Sequence, residues 1–230
     1  MIVHLFSGKL RFLEGTPRSI WLSAAGGISV SYVFLHILPE LARGQSIIED
    51  AIASPLQILE HHAYLIALLG LIVFYGLERI AKVSRARQRH VDGNDRPSAG
   101  VFWLHLASFL VYNALVGYLL VNDVQSASEL GFFFFAMALH FLVTDYGLRE
   151  HYKEQYATLG RWLLAVAVLA GWMVGCVIEL PELAKSLLVA ALAGGIILNV
   201  LKEELPEERQ SRFSAFLLGA LAYAALLLAV

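Results

Sequence analysis

The sequence predicts an all-α, polytopic membrane helix bundle of seven transmembrane helices, and three observations carry that prediction. The 230 residues are 58% hydrophobic and only 16% charged, whereas a soluble domain carries about 25% charged residues. Seven apolar runs come close to the roughly 20 residues a helix needs to cross a hydrocarbon core about 30 Å thick. Lysine and arginine, finally, gather in every second connection between those runs.

The runs are 20–38, 63–80, 101–121, 130–148, 162–178, 183–201 and 213–230. Helices are the expected form, because lipid offers no partner to an open backbone donor or acceptor. Of the 17 basic residues, all but Arg43 and Lys185 lie before the first run or at the connections after the second, fourth and sixth. Cytoplasmic loops retain positive charge, so the pattern predicts a cytoplasmic N-terminus and an outside C-terminus in an inner or plasma membrane. The whole chain, 1–230, reads as a single transmembrane domain. Residues 1–19, with Leu5, Phe6, Leu10, Phe12 and Leu13 among basic residues, suit a cytoplasmic, interfacial segment. Residues 81–100 read as a mobile cytoplasmic loop in which His90 is a solvated side chain.

Composition also excludes. A net charge of -2 argues against a nucleic-acid surface, which needs a clustered basic excess. The lone Cys176 has no intrachain partner and reads as a small packing residue. No Ser/His pair or HExxH arrangement suggests an intramembrane enzyme, and no resident cofactor is signalled.

Ionisable and amide side chains inside the runs are candidate functional groups, because a charged one costs about 2.5 to 3.5 kcal/mol on insertion scales. His36 and Glu40 are four residues apart and share a helical face near the outer surface. An imidazole and a carboxylate so spaced suit a divalent cation, or an interfacial His beside the carboxylate after Pro39. Asn113, midway along the third run, is a cation ligand or an amide bridge between helices. In the fourth run His140 is a ligand or a satisfied core histidine. Asp145, with Thr144 beside it, lies about 140° from His140 around an ideal helix, so a bend is needed to converge the two. Glu203, Glu204 and Glu207 stand where the sixth run ends on the inner side.

A repeat with direction connects these positions. Ala25-Gly26-Gly27 followed by Leu38-Pro39-Glu40 returns as Ala193-Gly194-Gly195 followed by Leu205-Pro206-Glu207, and by the charge pattern the two copies cross the membrane oppositely. Many secondary transporters build two matching gates around a midplane site from such inverted repeats.

From about Ala24 to the C-terminus these residues resemble the ZIP (Zrt/Irt-like) metal-transporter family. His36-Ile37-Leu38-Pro39-Glu40 is similar to the family's His-Leu-Leu-Pro-Glu, and Gly70 through Arg79 looks like its third helix. Ala193 through Glu207 resembles the seventh, with Glu203 at a family glutamate position. Where the family reads His-Asn-x-x-Asp-Gly, this chain has Tyr112-Asn113-Ala114-Leu115-Val116-Gly117. Where the family reads His-Glu-x-Pro-His-Glu, it has His140-Phe141-Leu142-Val143-Thr144-Asp145. The family's first helix is absent, which turns eight spans into seven. The resemblance implies a divergent transporter of a divalent metal such as zinc, iron or manganese, with His36, Glu40, Asn113, His140, Asp145 and Glu203 as metal ligands. The lipid bilayer and the metal ion are then its partners, and a homodimer is the family's common assembly. The lost ligands and helix leave a second expectation, a ZIP-like membrane scaffold that conducts no metal or carries another solute.

Overall fold

The structure, a computed structural model, describes residues 3–4, 20–51, 61–92, 97–122, 127–204 and 212–229. Among the described residues there are seven long helices and no strand: α1 (Ile20–Ala51), α2 (His62–Asp92), α3 (Ala99–Asn122), α4 (Ala127–Gln155), α5 (Arg161–Val177), α6 (Glu182–Glu204) and α7 (Phe213–Leu228). Six helical stretches are long and apolar enough to cross a membrane, whereas α7, at 16 residues, is apolar but shorter. The chain is therefore an all-helical integral membrane protein at the level of six such helices. Large apolar side chains such as Trp21, Phe34, Leu69, Trp162 and Leu218 point outward, as they do where the surrounding solvent is lipid rather than water.

Three glycine-locked pairs organise the bundle. α1 packs chiefly on α7, α2 on α6 and α3 on α5. A Cβ built on Gly27 would stand 2.0 Å from the Phe216 carbonyl oxygen of α7, and one on Gly219 would stand 2.2 Å from that of Ala24 on α1. Gly70 and Gly194 meet the backbones of Ala191 and Ala67 in the same reciprocal way, as Gly117 and Gly171 meet those of Val168 and Ala114. Lipid tails are as apolar as leucine, so helices in a membrane associate through such close backbone approach rather than through water exclusion. The pairs nest in the chain, first with last and second with sixth. α4, in the middle, belongs to none of them.

Two local features place side chains for the site. Pro39 has no N–H and its ring crowds the carbonyl four residues back; just upstream, Val33–Ile37 widens into a π turn in which the Leu38 N–H reaches the Val33 carbonyl. Single π turns of this kind are frequent at functional positions. At the other end of the bundle α4 breaks at Lys153 (φ 46°), and a second π turn, Tyr156–Gly160, leads into α5.

Several expectations change. The predicted loop 81–100 is helical as far as Asp92, so α2 projects well past its apolar run and carries His90 exposed on its surface. The first run does not stop at Leu38 but continues as helix to Ala51. Cys176 is exposed on the outside of α5 rather than packed. Most of segment 1–19 lies outside the described residues, including Leu5, Phe6, Leu10, Phe12 and Leu13; of its members Val3 and His4 are described, and His4 is fully buried in the bundle.

Candidate cation site

At the centre of the bundle Asn113 of α3 and Asp145 of α4 face one another across the imidazole of His4. All three are completely buried, at 0% exposure. His4 Nδ1 lies 2.8 Å from Asp145 Oδ1, and His4 Nε2 lies 2.9 Å from Asn113 Oδ1. The Asn113 amide is oriented by its own helix, because its Nδ2 donates to the Phe109 carbonyl at 2.7 Å and so leaves the oxygen toward His4. Both ring nitrogens are thereby engaged by oxygen atoms of the two helices. The Tyr156 hydroxyl, brought back by the π turn after α4, also donates to Asp145 Oδ1. Asp145 Oδ2 is buried with no hydrogen-bond partner among the described residues.

A buried carboxyl group needs hydrogen-bond or ionic partners, and here the His4 imidazole and the Tyr156 hydroxyl supply them, while Asn113 holds the far side of the ring. The packing of His4 on the Phe141 ring, 4.8 Å between centroids, adds an apolar wall on the α4 side.

His140 takes no part in that centre. Its Nε2 is hydrogen-bonded to the Tyr112 hydroxyl at 2.9 Å, on a different face of α4 from Asp145, so the angular separation read from an ideal helix persists and no bend removes it. Thr144 is tied instead to α6, where the Asn199 amide donates to its hydroxyl at 2.8 Å. His36 and Glu40 do share a face, as their spacing predicted. Both line a narrow cavity of about 30 Å³ with Tyr32, Val116, Phe133 and Met137. His36 stacks on Tyr32 at 4.8 Å and Glu40 pairs with Arg43 at 3.0 Å. That lining lies about one to two helical turns from Asn113 on α3 and about two to three turns from Asp145 on α4, so the His36–Glu40 pair and the central pair are separate clusters with apolar side chains between them. The side chains of Glu203 and Glu204 lie outside the described residues, as does Glu207.

A third cluster, absent from the sequence expectations, closes the opposite end. Glu78 of α2 stands 2.9 Å from Lys202 of α6 and 3.4 Å from His151 Nε2 of α4, with Lys82 at 3.9 Å. One mostly buried carboxylate thus joins three helices near the basic-rich ends. A signal for it was present, since Glu78 interrupts the apolar run Gly70 through Leu77. For His4 there was none, because a lone histidine in a short segment carries no mark of where the chain will tuck it.

Among the described residues no group of three or more His, Cys, Asp or Glu is placed to hold a metal ion. The chain matches no family model, no curated protein and no solved structure. The likeness to the ZIP family therefore rests on the residues themselves.

Proposed function

We propose that the chain is a divergent ZIP-like transporter of a divalent cation such as zinc, iron or manganese, with Asn113 and Asp145 as its central ligands. The observation that carries this reading is that an amide oxygen and a carboxyl oxygen from two helices converge on one buried imidazole, at 2.9 and 2.8 Å. Both positions were singled out from the sequence. An amide oxygen and a carboxylate suit a hard or borderline divalent ion. The path runs from His36 and Glu40 at the outer mouth, through Asn113 and Asp145, to the end where Glu78 and Lys202 meet and Glu203 follows. His140, held by Tyr112, is a supporting residue of the site rather than a ligand of the same ion.

Seven spans in an inverted repeat are part of the proposal. Aligned on their Leu-Pro-Glu triplets, the two copies superpose Gly27 on Gly194. Each of these is the glycine through which its helix meets a partner, Gly27 on α7 and Gly194 on α2. An exchange of α1 with α6 and of α2 with α7 turns one of these pairs into the other, as an inverted repeat requires. With the basic ends inside, the N-terminus is cytoplasmic and the C-terminus, after the short α7, is outside.

The test is uptake of Zn²⁺, Mn²⁺ or Fe²⁺ by proteoliposomes. Asn113→Ala combined with Asp145→Asn lowers uptake or metal affinity by about ten- to hundredfold, the size typical of losing groups that hold or orient a metal. Uptake unchanged in that double variant removes the proposed site. A specific observation favours the second reading, a ZIP-like scaffold that conducts no metal: no His, Cys, Asp or Glu triad exists among the described residues. Wild-type protein that is inert to all three ions, in flux and in metal-dependent stabilisation, would establish it.

A further inference from the structure

We infer that His4 is a plug, occupying the position between Asn113 and Asp145 that a transported cation needs, and that metal enters only when His4 withdraws.

Four observations lead there. The imidazole is interposed between the two oxygens, so Asn113 Oδ1 and Asp145 Oδ1 are held apart by a ring and two hydrogen bonds of 2.8 and 2.9 Å. Ligand distances for a divalent ion are about 2.0 to 2.6 Å, so the two oxygens cannot close on one ion while the ring lies between them. Neither ring nitrogen is left to ligate a metal, since each is committed to an oxygen acceptor. Asp145 also keeps a second buried oxygen, Oδ2, with no hydrogen-bond partner among the described residues, placed to receive an ion that replaces the ring. Finally, His4 docks on α4, the helix that lacks a glycine-locked partner, through Phe141 and Asp145. His4 precedes the seven helices and belongs to none of the three glycine-locked pairs, so its removal breaks none of them.

The consequence is arithmetic. If the plugged state dominates, the apparent dissociation constant of the metal is the intrinsic one divided by the fraction of molecules in which His4 is out. Deleting the imidazole removes that factor. A plug present about 90% of the time predicts an apparent affinity about tenfold tighter without it.

The inference rests on the cation-site reading of Asn113 and Asp145, and the experiment separates the two. Full-length wild type, His4→Ala and His4→Gln are titrated with Zn²⁺ alone, by direct binding and by thermal stability in detergent, and are then assayed for Zn²⁺ flux in proteoliposomes. His4→Gln retains a donor toward Asp145 without the ring and guards against a variant that fails to fold. The plug predicts that both variants bind Zn²⁺ about tenfold more tightly and gain more thermal stability from it than wild type does. Weaker binding in both variants overturns the proposal by making His4 a ligand, and unchanged binding overturns it by making His4 irrelevant. Tighter binding without any flux upholds the plug and removes the permease. Flux with binding unaffected by either substitution removes the plug and keeps the permease.

Discussion

The His4 imidazole and the Asp145 carboxylate stand 2.8 Å apart, both fully buried, although 141 positions of chain separate them. The pair's partners Asn113 and Tyr156 complete a cluster drawn from three helical segments and the segment before them. Its cost and its use follow from the same fact, that polar groups removed from water must be matched locally.

Asp145→Asn removes one side of the buried His4–Asp145 pair. Breaking one side of a buried pair costs about 3 to 5 kcal/mol, so the apparent melting temperature in detergent falls clearly below that of wild type. A melting curve that superposes on wild type would mean that the pair does not form in the folded protein.

Tyr112→Phe tests whether His140 serves structure or metal. Removing the hydroxyl leaves His140 Nε2 buried with its partner gone, a loss of about 1 to 3 kcal/mol. If His140 is only a supporting residue, His140→Ala lowers thermal stability while Zn²⁺ affinity stays within about threefold of wild type. An affinity drop as large as that of Asp145→Asn would return His140 to the ligand set.

Glu78→Gln weakens a junction of α2, α4 and α6. Charges in contact couple by about 0.5 to 3 kcal/mol, so the double variant Glu78→Gln with Lys202→Met is less destabilised than the sum of the single variants. Strict additivity in denaturant or thermal unfolding would show that the 2.9 Å contact contributes nothing.

The glycine pairs make a prediction about packing alone. Gly27→Val places side-chain carbon where the Phe216 carbonyl stands, and the α1–α7 pair separates; size-exclusion chromatography then shows loss of the folded species. Gly76→Ala, where a Cβ meets no atom within 4 Å, is neutral or stabilising by up to about 1 kcal/mol through helix propensity. Equal behaviour of the two variants would refute the packing assignment.

Composition and periodicity alone determined that this chain is a bundle of apolar helices, because the bilayer imposes length and hydrophobicity locally, run by run. The shared face of His36 and Glu40 and the separation of His140 from Asp145 were equally legible, since both follow from angular spacing within one helix. Burial of Asn113 and Asp145 was the natural reading of polar groups inside apolar runs. Contacts between distant segments were not legible. That α2 continues to Asp92 through a basic, polar stretch, that Glu78 meets Lys202 and His151, and above all that His4 enters the core to face Asp145 depend on how helices nest in three dimensions. Those neighbours are chosen by close backbone packing and by the need to neutralise a buried carboxylate, and neither requirement leaves a trace in the spacing of residues along the chain.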